Sequence, residues 1–185
     1  IFKMKKVFGI LIFSIFFLVN VSAEERESQL NNLFDQLKKN DSSMAFIAEM
    51  KIWRIWSTHP SKENLTNLLT EGSILVSEKR YNQAYNVFSR VIFLDPNWPE
   101  AWNKRATLLY MMGRYQESQD DIEKVLKLEK RHFGALAGQG LISIELENYE
   151  KAINSYKEVE MIYPNMKSLK IMIRKIQELI KSKSI

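Results

Sequence analysis

From residue 24 onward, apolar side chains recur at three- and four-residue spacing. Leu30, Leu33, Phe34 and Leu37 form one such stripe, which predicts a helix over 24–39 with a single buried face. Asn40-Asp41-Ser42-Ser43 interrupts it and supplies N-cap side chains for a second helix, about 43–58. That helix is apolar on two sides: Met44, Ile47, Ala48, Ile52, Ile55 and Trp56 on one, Phe46, Met50 and Trp53 on the other. Such a helix is expected to pack between neighbours, here the first helix and the segment after His59-Pro60-Ser61. The pair, 24–64, reads as a divergent hairpin that caps the N-terminal end of the helices after residue 64. Trp53 and Trp56 read as large buried anchors, with an aromatic ligand clamp as the alternative. At the other end, Asn165 or Ser168 starts a last helix in 167–185. It carries Leu169, Met172, Ile173, Ile176, Leu179 and Ile180 opposite a basic face of Lys167, Lys170, Arg174, Lys175, Lys181 and Lys183.

Between these ends the pattern repeats every 34 residues. The shift links Gly72, Ala106 and Gly140; Ala84, Ser118 and Ala152; Tyr81, Tyr115 and Tyr149; Phe88, Ile122 and Tyr156; and Val91, Val125 and Val159. Pro96 and Pro164 share a phase, with Lys130 between them, so the second of these helix ends is expected to be the less abrupt. Small residues at the linked positions let two helices of a hairpin approach closely, and each tyrosine follows a turn that it can wedge shut. One hairpin cannot bury its apolar face alone, whereas three stacked ones can.

This period, with small, aromatic and proline positions in that order, resembles the tetratricopeptide repeat (TPR). The segments Trp102 to Thr107 and Leu128 to Gly138 are similar to those of small exported proteobacterial TPR proteins. The resemblance implies an all-α fold: a right-handed α-solenoid of repeats 65–98, 99–132 and 133–166, with an N-terminal helical hairpin and a C-terminal capping helix. The capping helix needs one polar face, with an anionic membrane surface as its alternative ligand.

Residues before Glu24 are of another kind. Lys3, Lys5 and Lys6 precede an apolar run from Val7 to Val19 and a Val21-Ser22-Ala23 ending, which reads as a signal peptide over 1–23, with Met4 as the start and cleavage before Glu24. An uncleaved anchor over 7–23 is the alternative, and only then is a membrane contact expected. The sequence has 27 basic and 22 acidic residues, and three of the lysines lie in this leader, so the mature charge offers no electrostatic case for nucleic acid. The absence of cysteine removes disulfides and a lipidated N-terminal cysteine. An exported, periplasmic or secreted, protein is expected.

The motifs of hydrolases, zinc proteases and phosphate-binding loops do not occur. Asp120, Asp121 and Glu123 read as a solvated face with a local ion pair, with a metal site as the alternative. No catalytic residue, cofactor or metal is expected. The position before each small crossing residue is polar, Glu71, Arg105 and Gln139, and predicts a structural ladder along the stacked first helices in which Arg105 bridges the other two; a polar ligand contact is the alternative.

By the TPR resemblance, the inner faces of the first helices line a partner groove. It comprises Leu69, Ser73 and Val76; Asn103, Lys104, Thr107, Tyr110 and Met111; and Ala137, Leu141, Ile144 and Glu145. Thr66, Ser77, Glu100 and Gly134 are assigned to the same face. Chaperone-binding TPRs hold a peptide carboxylate with Lys, Asn and Arg at places that here hold Leu69, Ser73, Lys104, Gly134 and Gly138. One charge does not make a clamp, so an apolar peptide or helix of another protein is the expected partner. The alternative function is a structural, self-associating or membrane-tethered assembly subunit.

Overall fold

The computed structural model describes residues 23–39, 41–166 and 168–183, and among these every regular element is an α-helix. They are α1 (23–37), α2 (Ser42–Ser57), α3 (Glu63–Ser77), α4 (Tyr81–Leu94), α5 (Pro99–Met111), α6 (Tyr115–Leu128), α7 (Phe133–Glu145), α8 (Tyr149–Ile162) and α9 (Ser168–Lys183). Pairs α3–α4, α5–α6 and α7–α8 are the three hairpins, and α9 packs on α8 where the first helix of a fourth would stand. The leader expected over 1–23 lies outside the described residues except for Ala23, the first described residue of α1.

Local chemistry sets the helix ends. Asp41 caps α2 by accepting from the Ser43 and Met44 N–H groups. The turns inside the hairpins put Lys79, Gly113 and Glu147, one repeat apart, at φ of 60°, 72° and 57°. The next residue's N–H then reaches back across the turn, from Arg80 to Leu75, Arg114 to Leu109 and Asn148 to Ser143 at 2.9, 2.9 and 2.7 Å. Only Gly113 takes that left-handed conformation without a Cβ penalty.

The turns between hairpins correct one expectation. Helix α6 stops at Leu128 in phase with α4 at Leu94, although Lys130 replaces proline. The side chain of Glu129 accepts the Arg131 N–H at 3.0 Å, as Asp95 accepts the Asn97 N–H at 2.9 Å. A carboxylate that captures a turn N–H ends the helix without proline's help.

The crossings within hairpins are filled in two ways. In the first and third repeats the ring of Phe88 or Tyr156 lies on the bare backbone of Gly72 or Gly140; a methyl at Gly140 would sit 2.6 Å from Tyr156 Cζ. In the second, Ala106 and Ile122 belong to one cluster, and Ser118 Oγ donates to the Ala106 carbonyl at 2.7 Å.

The N-terminal hairpin does not sit on top of the first repeat. It lies across the loops that lead into successive repeats, and its contacts run to the end of the third. Trp98 Nε1 donates to the Trp56 carbonyl at 2.9 Å, and the His132 ring stacks on Trp56 at 4.0 Å between centroids. Farther along, Arg131 pairs with Glu27 at 2.8 Å, Tyr163 donates to Glu49 at 2.9 Å and Asn165 donates to the Lys39 carbonyl at 2.7 Å. Trp53, Trp56, Phe133 and Phe34 join Leu37, Ile52 and Tyr163 in one apolar core, so the tryptophans are anchors of this clasp. The outer face of α3 that it leaves uncovered is correspondingly polar: Asn67, Thr70, Glu71 and Glu78 lie there beside the exposed Ile74. The equivalent positions of Asn67 and Ile74 in the later repeats are Ala101 and Leu108, then Ala135 and Ile142, all buried.

Candidate partner-binding groove

First helices α3, α5 and α7 stand side by side, and two clefts open between them. One, about 150 Å³, is lined by Ser73, Val76, Lys104 and Thr107 over Phe88 and Leu108. The other, about 80 Å³, is lined by Asn103, Thr107, Tyr110, Gly134, Gly138 and Leu141 with Ala106, Ser118, Ile122 and Ile142. Gly138 borders the second and leaves space beside it: a Cβ there would meet only Ile122 Cδ1, at 3.5 Å. Gly134, by contrast, is already covered by the Trp53 ring.

The structure sorts the expected groove residues. Ser73, Val76, Lys104, Thr107, Tyr110, Asn103 and Leu141 line the clefts, and Met111 and Glu145 are exposed nearby along the same helices. Leu69 is only 2% exposed and belongs to the core, and Ala137 and Ile144 pack against the core shared by α8 and the clasp. Glu100, assigned to the same face, is fully buried. Tyr110 donates to Glu145 Oε1 at 3.4 Å, which spans α5 and α7; burial and then that carboxylate push its phenol above the ordinary value. Lys104, the one cation at a clamp-like place, is held by Glu100 at 3.4 Å. The clefts therefore present apolar, hydroxyl and amide groups.

Beneath the second cleft lies a polar network that periodicity did not reveal. Asn103 Nδ2 donates to Glu100 Oε2 at 3.1 Å, and His132 Nε2 lies 3.1 Å from the same oxygen. Because His132 Nδ1 accepts the Ala135 N–H at 3.0 Å, it is Nε2 that carries the proton toward Glu100. His59 repeats the device: its Nδ1 accepts from Ser61 and Lys62, and its Nε2 meets Asp95 at 2.9 Å. Burial pushes the Asp95 carboxyl up, but His59 and the Asn97 N–H outweigh it and hold Asp95 below its ordinary value. The available signal was a histidine shortly before a first helix, with an acid about one repeat away.

The expected ladder is absent. Glu71 is exposed on the open end of the stack. Arg105 forms a two-point bond with Asp121 on its own hairpin, at 2.7 and 2.8 Å, and a third bond to Ser89 on α4 at 3.0 Å. Gln139 accepts from Ser155 at 2.9 Å, again across its own hairpin. Arg105 and Gln139 point at second helices sixteen residues away in sequence, and Glu71 points at solvent, so equal phase does not bring the three together. Bonding to Asp121 holds Arg105 above its ordinary pKa, while burial pushes the Asp121 carboxyl up against the pull of Arg105. The metal alternative fails for the same reason: Asp121 faces Arg105, Asp120 is exposed beside Gln116, and Glu123 faces Lys151 at 3.7 Å. No group of metal-ligating side chains occurs among the described residues.

Stacked hairpins with an open side built from their first helices define an α-solenoid interaction fold. Models of the tetratricopeptide repeat match residues 99–132 and 134–166. A TPR repeat-containing protein of Rhizobium etli is 34% identical over 152 residues, 78% of this chain and 74% of that protein. The chain belongs to the tetratricopeptide repeat proteins. The small glutamine-rich TPR protein 2 of Mycosarcoma maydis is 26% identical, and the chain spans only 36% of its length. Among solved structures, MamA is similar at 20% identity and a TM-score of 0.59, with 82% of each chain covered. The first TPR of Spaghetti (RPAP3), bound to the HSP90 peptide SRMEEVD, has 20% identity and a TM-score of 0.61, covering 63% of this chain and 93% of that one. Both share the fold.

Proposed function

We propose that this chain is an exported, non-enzymatic binding module that takes a segment of another cell-envelope protein on the open side of α3, α5 and α7. The carrying observation is the pair of clefts, one bordered by Gly138, whose walls present Val76, Tyr110 and Leu141 with Thr107 and Asn103 between them. Such a surface takes apolar side chains at regular intervals and has hydroxyl and amide groups for the segment's polar atoms. Several related TPR structures hold Hsp90 or Hsp70 peptides, which supports a peptide ligand in general. The acidic ends of those peptides have no counterpart here, because Lys104 is engaged by Glu100. The basic start, apolar run and small-residue ending of residues 4–23 support export and cleavage.

A photo-crosslinker placed at Leu141 should trap an envelope protein in living cells, and one at Lys124 on the outer surface should not. Filling the cleft with Gly138→Leu should abolish the Leu141 crosslink while leaving the helical spectrum unchanged. Equal crosslinking from both positions would reject the groove. An N-terminal sequence beginning at Glu24 is expected, and one beginning at Met4 would reject cleavage.

A further inference from the structure

Two surface features have no part in the groove or the clasp. On α2, Phe46, Ile47 and Met50 are 58, 50 and 57% exposed, a larger unpartnered apolar strip than a clasp helix requires. On α9, Lys170, Arg174, Lys175, Lys181 and Lys183 stand against one acid, Glu178, whereas α8 carries two lysines against three acids. Capping a solenoid requires polarity, not one sign of charge. Residues Lys170 and Arg174 occupy the places where α7 has Leu136 and Gly140, the row that elsewhere receives the second helix of the hairpin. That row is here a cationic ridge.

The strip meets the ridge at the start of α9, and the ridge runs from there to the turn before α8, where Lys183 reaches Glu147 at 2.9 Å. Asn165, three residues before α9, donates to the Lys39 carbonyl, and Tyr163 donates to Glu49 between Ile47 and Met50. Exposed Lys38, Lys39, Lys51 and Arg54 flank the strip. The acids near the strip and the ridge are Asp35, Asp41, Glu49 and Glu178, with Glu160 3.9 Å from Lys170 and Glu147 2.9 Å from Lys183; Asp41 and Glu49 are engaged by the α2 N-terminus and by Tyr163. A second copy is a poor occupant, because two-fold pairing sets this surface, with its excess of lysine and arginine, against the same excess on the other copy.

We propose that this corner docks on an anionic lipid surface, with Phe46, Ile47 and Met50 entering the headgroup region and the α9 ridge held by lipid charge. No helix among the described residues is long and apolar enough to cross a membrane, so the contact is peripheral. Clustered lysines and arginines beside exposed apolar side chains have this affinity, and it fades with added salt.

The chain has no cysteine, so one introduced by Met50→Cys can carry an environment-sensitive dye on the full chain. Vesicles of phosphatidylglycerol and phosphatidylcholine should shift its emission to the blue, and vesicles of phosphatidylcholine alone should not. The apolar run 7–19 and Lys3, Lys5 and Lys6 before it are the same in every variant, so the loss caused by charge reversal on α9, rather than the difference between the two vesicles alone, reports this corner. The same dye at Lys127→Cys, on the exposed side of α6, should stay unchanged. Lys170→Glu, Arg174→Glu and Lys181→Glu together should weaken the response at least about tenfold. Equal responses to the two vesicles, no response, or an unaffected triple variant would overturn the proposal. A shift with soluble polyglutamate but none with anionic vesicles would also overturn it and make an acidic protein the occupant.

Discussion

The second repeat and its two neighbours solve the same packing problem with different chemistry. In the first and third, an aromatic ring lies on glycine: Phe88 on Gly72 and Tyr156 on Gly140. In the second, Ala106 pairs with the smaller Ile122, and polar bonds hold the surrounding space: Ser118 to Ala106, Arg105 to Asp121 and Ser89, and Asn103 to Glu100. The middle hairpin has a neighbour on both sides, so Arg105 reaches Ser89 in one direction and Glu100 meets His132 in the other. The outer hairpins each have a side with no further hairpin and rely on ring burial. Volume is conserved across the pair rather than at either position.

The largest loss should come from removing the polar solution where it is most buried. Arg105→Leu leaves the Asp121 carboxylate, whose side chain is 5% exposed, without its cation. Breaking a pair of this kind costs about 3–5 kcal/mol, and the partial exposure of Arg105 places it near the lower figure. Arg105→Leu with Asp121→Leu should recover most of the loss, as a double-mutant cycle in urea would measure. Additive effects would deny the coupling.

Crossing the two packing solutions should cost somewhat less. Gly72→Ala puts a methyl into the Phe88 ring and should destabilise by about 1–3 kcal/mol. Phe88→Ile in the same chain copies the second repeat and should restore much of it. If thermal unfolding shows the double variant no better than Gly72→Ala, the volumes are not exchangeable between repeats.

Turns give a smaller effect of opposite sign. Lys79→Gly copies Gly113 at a φ of 60° and should raise stability by roughly 0.5–1 kcal/mol, read as a shift in the urea midpoint.

The smallest effect at neutral pH belongs to Tyr156→Phe, which turns the third crossing into the first. The Tyr156 hydroxyl is buried without a partner, so its loss should be neutral or slightly stabilising. Burial pushes this phenol up to about 12, above the ordinary value of 10.0 that an unfolded chain shows. The folded state therefore disfavours ionisation: the contribution of this group to stability is complete below pH 10.0 and is lost as pH rises toward about 12. Alkaline unfolding should move to higher pH in the variant; an unchanged midpoint would mean that Tyr156 ionises without cost.

What the sequence determined by itself was everything carried by local periodicity. The 34-residue phase places the crossings, the turns after Ser77, Met111 and Glu145, and the three hairpins, because each depends on residues within one repeat or its neighbour. The resemblance to TPR proteins put Ser73, Lys104, Thr107, Tyr110 and Leu141 on one face of the first helices, and each lines one of the two clefts. Tertiary structure alone decided the rest. Phase says that Glu71, Arg105 and Gln139 are equivalent, but a side chain's partner depends on its direction, and each points into or away from a different neighbour. The position of α1 and α2 was equally hidden. Their apolar faces specify burial without specifying against what, and the choice was made by Trp56 on His132, Arg131 on Glu27 and Asn165 on Lys39, contacts up to 126 residues apart in the chain.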